Sequence, residues 1–148
     1  MIQTIPLSLV ANGDIRPSRF VNLDATASDD HLSLEANANE KIVGISDDGT
    51  NYPPIEGLPG GVSITALAAE AGQAFKAHGH GTHGCLLELG GTVTAGDFLK
   101  SDADGKGVSI ATSGTTLQRY GAIALEGGAS GGLIPVIVVL GSERPALA

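Results

Sequence analysis

Within the stretch Ala77-His78-Gly79-His80-Gly81-Thr82-His83-Gly84-Cys85, three imidazoles and a thiol fall inside eight positions. In an extended strand His78 and His80 point the same way, and a turn at Gly81 brings His83 or Cys85 round; imidazole and thiolate together suit zinc. The spacing matches no established zinc pattern. There is no Cys-x-x-Cys pair, no two of these His lie four apart on a helical pattern, and no neighbouring Asp or Glu is placed to orient an imidazole. Two readings stand. One is a metal-binding enzyme or metal-dependent module using the His78–Cys85 segment; the other, which the absences favour, is a Gly-His loop or histidines gathered at a subunit contact.

Other chemistries are harder to assemble. Gly-x-Ser-x-Gly does not occur, and neither Ser113 nor Ser130 sits on a strand-to-helix elbow, so no hydrolase triad can be built. Glu126-Gly127-Gly128 and Ala129-Ser130-Gly131-Gly132 lack the Gly-Lys-Ser/Thr of a phosphate cradle and read as turns. Asp102, Asp104 and Gly105 resemble part of a calcium loop without its closing Glu, and read as a hairpin turn. Arg16 and Arg19, beside Pro17 and Phe20, are the cations of an otherwise acidic region; either they pair with carboxylates across an interface or they are solvated.

These residues need a scaffold, and the chain compared with itself supplies one. Residues 7–46 align without a gap on residues 85–124, with identical pairs Leu9/Leu87, Gly13/Gly91, Phe20/Phe98, Asp24/Asp102, Ala25/Ala103 and Ile45/Ile123, and with Lys41 opposite Arg119. Such self-similarity reads as a duplicated half. Each copy runs as short apolar strands broken by Gly- and Asp-centred turns. Phe98-Leu99 and Val108-Ser109-Ile110 flank a hairpin at 101–106, and the apolar, β-branched run 132–140, closed by Gly141, reads as a buried closing strand with Pro135 near its start. Residues 47–84 read as an inserted segment: an exposed loop around Tyr52-Pro53-Pro54, then a short helix over Ser63 to Ala71 that Ser63 caps and Gly72 stops. Residues 1–10, apolar and interrupted by Pro6, read as an N-terminal arm laid on a neighbouring chain or as an edge strand. The expectation is one mainly β domain over 11–148.

Composition narrows the function. The 148 residues carry 8 basic and 16 acidic side chains, a net charge of −8, which repels nucleic-acid phosphates and anionic membranes. Ten of the acids and only three of the bases lie in residues 1–74, so an acidic face is expected there. The 22 Gly and 7 Pro point to many turns, while the absence of Trp and the 3 % aromatic content leave a core of Val, Ile, Leu and Ala. No segment reaches the roughly 18 consecutive apolar residues of a membrane helix, and the N-terminus lacks a basic region followed by a long apolar stretch. The single Cys85 cannot form an internal disulfide and fits assembly in a reducing cytoplasm.

The residues also resemble a family. Asn12-Gly13-Asp14-Ile15-Arg16-Pro17-Ser18-Arg19-Phe20-Val21, followed by Lys41-Ile42-Val43-Gly44-Ile45-Ser46, is similar to the opening of the tailed-phage capsid decoration, or head cement, proteins. Residues 94–106 and Tyr120-Gly121-Ala122-Ile123-Ala124-Leu125-Glu126 look like that family's strand and hairpin, so the likeness covers most of residues 11–141, while 51–84 departs from it. The resemblance implies a small β-barrel or β-sandwich that forms a homotrimer on the outside of an icosahedral head. There it would bridge major capsid subunits, with no reaction, no cofactor, no metal, no direct nucleic-acid contact and no membrane. Under that reading the expected capsid or trimer contacts are Ile2, Ile5, Pro6, Arg16, Arg19, Tyr52, His78, His80 and His83.

Overall fold

A computed structural model describes residues 7–24, 32–47, 68–111 and 116–143. The strands are β1 (Leu7–Ala11), β2 (Phe20–Val21), β3 (Leu32–Ser33), β4 (Gly44–Ser46), β5 (Ala74–His78), β6 (His83–Glu88), β7 (Phe98–Ser101), β8 (Gly107–Ser109), β9 (Gln118–Ala124) and β10 (Leu133–Glu143). They form two five-stranded sheets, ordered β2-β4-β5-β1-β3 and β6-β10-β9-β7-β8. The fold is mainly β and sandwich-like. Single bridges, Val21 to Glu35 and Leu89 to Gly107, curl each sheet without closing it into a barrel.

The two sheets are built alike in four of their five strands; the fifth differs, β3 pairing parallel with β1 and β8 antiparallel with β7. Leu9 pairs with Phe75 and Leu87 with Ile134; Ser46 pairs with Ala77 and Ala124 with Val136; Phe20 pairs with Ile45 and Phe98 with Ile123. The loops repeat too. Ile15 N–H donates to Ala69 O and Val93 N–H to Gly128 O, both at 2.8–2.9 Å; Gly72 and Gly131 N–H reach Ala11 and Leu89 O at 2.7 and 2.8 Å. Ser18 and Gly96 hold the same turn with φ of 58° and 91°. The matched register carries the correspondence past residue 124: β5 answers β10.

This places β5 at the centre of the first sheet, between β4 and β1, so the expected insertion 47–84 ends before Ala74. The extra length lies between β4 and β5, where residues 47–73 correspond to residues 125–132 of the second half. The helix expected over Ser63 to Ala71 is not formed in its described part. Ala69 instead bridges Ile15, and Gly72, with φ +86°, turns the chain into β5. Alanine's helix propensity is a weak prior against a backbone partner supplied by the sheet. Residues 63–67 lie outside the described residues. Leu7 to Val10, expected as an arm or edge, form β1 between β5 and β3.

Two apolar clusters hold the sheets. Leu9, Ala11, Ile15, Val21, Ala69, Phe75 and Ala77 fill the first half. Phe20, Ile42 and Ile45 turn the other way and join Leu87, Leu89, Leu99, Ala122, Val136 and Val138 of the second half. Phe20 and Val21 are adjacent, so β2 is buried on both faces, as alternating side chains require. Each such side chain contributes about 1.5–3 kcal/mol. In β10 the buried Ile134, Val136 and Val138 alternate with half-buried Pro135, Ile137 and Val139, which is why that run is apolar throughout. It does not stop at Gly141; a register shift after Val138 lets the strand continue to Glu143.

Candidate functional site

Both arginines singled out in the sequence are engaged inside the chain. Arg16 grips Glu35 in a two-point pair, Nε to Oε1 at 2.9 Å and Nη2 to Oε2 at 2.7 Å, and its backbone N–H donates to the same carboxylate. The hydrogen bond to Glu35 pushes the Arg16 pKa still higher, against the opposing effect of burial. Arg19 is 5 % exposed and crosses from the first half to the second. Its Nε and Nη2 donate to Glu88 Oε2 at 2.8 and 2.7 Å, and Nη1 donates to Asp104 O at 2.9 Å. Backbone bonds flank it, Glu88 N–H to Ser18 O at 2.9 Å and Phe20 N–H to Gly105 O at 2.7 Å. A two-pronged guanidinium satisfying a carboxylate and a carbonyl in a desolvated seam is a structural latch.

The histidine run forms the connection between the sheets. His78 ends β5, residues 79–82 make the turn, and His83 begins β6. The three imidazoles do different things. His78 Nε2 lies 3.3 Å from Asp47 Oδ1; His80 Nδ1 accepts the Leu140 N–H at 3.1 Å; the His83 residue is exposed. Among the described residues no three His, Cys, Asp or Glu side chains converge on one point. Cys85 is buried, and burial pushes its thiol up to about 11, so it stays protonated and poorly nucleophilic at neutral pH. Ser18, Ser46, Asp47, His78 and Cys85 line a cleft of about 180 Å³ where the two halves meet. Ile2, Ile5, Pro6 and Tyr52 lie outside the described residues.

Two features of the surface were not singled out from the sequence. A groove of about 380 Å³ is lined by Lys41, Ile42, Val43, Arg119, Tyr120 and Gly141. Tyr120 lies so close over Gly141 that a Cβ there would meet its hydroxyl at 2.5 Å. Asn39, at φ 55°, binds the groove together, donating to Leu117 O and accepting the Arg119 N–H, both at 2.8 Å. The second feature is the outer face of the second sheet. Phe98, Ile123 and Ile137 form a row across β7, β9 and β10, all half-buried, with Leu86 and Pro135 paired alongside and Leu133 54 % exposed. Phe98 also contacts Tyr120, with ring centroids 4.7 Å apart. The sequence signal was available in the unbroken apolar run of β10, which needs an apolar environment on both sides.

No family model matches the chain, and no curated protein matches it. A solved structure is similar in fold: the N base of the head fiber gp8.5 of bacteriophage phi29, with a TM-score of 0.58 and 14 % identity, covering 99 % of this chain and 99 % of that one.

Proposed function

We propose that this chain is a structural protein of a bacteriophage head, carried on the capsid exterior. The observation that carries this reading is the end-to-end fold similarity to a head-fiber base. The likeness of residues 11–141 to capsid decoration proteins supports it from another direction. In finer terms, the protein bridges major capsid subunits as a homotrimer, works without cofactor, nucleic acid or membrane, and is assembled in the host cytoplasm. On this reading the chain makes and breaks no bond, and the protonated Cys85, His78 beside Asp47 and His80 on the Leu140 amide serve as structural groups. Its two halves derive from one duplicated unit.

The mechanism is mechanical. A sandwich latched internally by Arg19 offers a stiff body, so little ordering cost is incurred on docking. Contacts repeated at many equivalent capsid positions add through multivalency, and a protein that binds only the assembled lattice stabilises it by mass action. Co-sedimentation of the purified chain with empty expanded heads tests this. Saturable binding that raises the temperature of head disruption is expected; failure to bind such heads overturns the reading.

A further inference from the structure

The groove of about 380 Å³ is built from matching positions of the two halves. At the offset of the repeat Lys41 corresponds to Arg119 and Ile42 to Tyr120, and all four line it, with Gly141 and Ser142 of β10 alongside. Asn39 ties the two segments together, since its own carbonyl accepts Arg119 Nη1 at 3.2 Å while its side chain holds Leu117 O and the Arg119 N–H. The two cations differ from those elsewhere in the molecule. Arg16 and Arg19 are each closed on a carboxylate, at 2.7 Å in both cases. Among the described residues neither Lys41 nor Arg119 has a carboxylate partner, and no Asp or Glu lines the groove. Glu40, next to Lys41 in sequence, turns back to accept the Asn37 N–H at 2.7 Å. Lys41 is exposed and Arg119 half-buried, with Nε and Nη2 of the guanidinium uncommitted among the described residues.

We propose that this groove docks an acidic segment of a partner protein, with a carboxylate taken by Arg119 and Lys41 and an adjoining apolar side chain set against Ile42, Val43 and Tyr120. Charge complementarity names the occupant. The chain carries 16 acidic side chains against 8 basic ones, so a carboxylate-bearing partner is repelled over most of the surface and attracted where two cations share a groove without an acid. A planar guanidinium with free donors suits a carboxylate held at two points, and Lys41 adds a mobile charge beside it. A free inorganic anion would use the cations and leave the apolar lining idle, whereas a peptide uses both. Nucleic acid would bring a run of phosphates against a net charge of −8. The volume lies in the range of about 300–1,000 Å³ that ligand sites occupy. The inference deepens the docking reading above, and rests on it only for the partner's being a protein.

The test uses the purified full chain without heads. An acetylated and amidated Glu-Leu-Glu-Leu-Glu peptide is titrated to millimolar concentration while backbone amide shifts are followed by NMR, with a peptide carrying Gln in place of each Glu and inorganic phosphate as separate arms. Saturable shifts centred on residues 41–43, 119–120 and 141–142 are expected with the acidic peptide alone, and they should weaken with added salt. Arg119→Gln should reduce the affinity about tenfold and Lys41→Gln, at an exposed position, about threefold, with Arg119→Lys recovering part of the loss. Absence of shifts at these residues overturns the proposal. So do equal shifts with the Gln peptide, or phosphate binding as tightly as the acidic peptide, which marks a simple anion site. Should Arg119→Gln fail to fold, charge reversal in Lys41→Glu is decisive in its place: it must abolish the shifts. Head binding is scored separately. Heads that take up the parent while the peptide leaves the groove unmoved overturn this inference and keep the capsid reading; peptide binding without head binding does the reverse.

Discussion

Residues 19 and 97 occupy equivalent places at the entry to β2 and β7, and they close their turns differently. Asp97 works locally: its Oδ2 accepts the Thr94 N–H at 3.0 Å and the Ser109 hydroxyl at 2.8 Å. Arg19 reaches across the molecule to Glu88 and Asp104, and its turn is held instead by Ser46, whose hydroxyl accepts the Arg19 N–H and donates to Arg16 O. Ser46 corresponds to Ala124, which needs no hydroxyl because the Asp97 carboxylate is present. Two halves that share four of their five strand positions have therefore divided a task. The second half is self-contained, while the first has exchanged local closure for attachment to its neighbour.

This division can be broken from its core outward. Replacing Phe20 with Ala should cost about 3–5 kcal/mol in urea unfolding, against about 1–2 kcal/mol for the half-exposed Phe98→Ala. Equal costs would mean that Phe20 and Phe98 are not differently buried. Arg19→Met should cost about 3 kcal/mol, because it leaves the Glu88 carboxylate in the seam without its main cation. Adding Glu88→Gln should recover part of that loss, and a double-mutant cycle measures the coupling. Asp97→Ala, the local counterpart, should cost about 1 kcal/mol, since it removes turn hydrogen bonds at a partly exposed site. If Asp97→Ala proves as damaging as Arg19→Met, the contrast between local and cross-half closure fails.

The smallest effect is one of pH. Burial raises the Cys85 thiol from 9.0 to about 11, so the unfolded chain releases that proton first. Stability should therefore fall as pH rises from about 9 to about 11, and the part of that slope due to Cys85 should vanish in Cys85→Ala. Chemical denaturation at several pH values, comparing the two proteins, reads the difference directly.

Much of the architecture could be read from local signals. The hairpin after Ser101 was visible because Asp102 and Gly105 are turn formers, and Asp102 Oδ1 does accept the Asp104 and Lys106 N–H groups at 2.8 and 2.9 Å. The strand β10 was visible as a β-branched run, and the repeat as identities at a fixed offset. β5 is hard to read because only four alternating residues, Ala74, Phe75, Lys76 and Ala77, precede His78 between Gly72 and Gly79, and their burial runs exposed, buried, exposed, buried. The roles of Arg16 and Arg19 were not legible. Their partners Glu35 and Glu88 lie 19 and 69 positions away, and only the folded chain brings those charges together.

All strands of one sheet precede residue 79 and all strands of the other follow residue 82. The short turn between them is pinned to β10, with Gly81 N–H on Val138 O and Val138 N–H on Thr82 O. Severing the backbone there would therefore divide the polypeptide into complementary fragments, each with an intact set of strands and with Arg19 on one piece and its acceptors on the other. Such fragments, expressed separately, are natural candidates for a split reporter that reconstitutes when its parts meet.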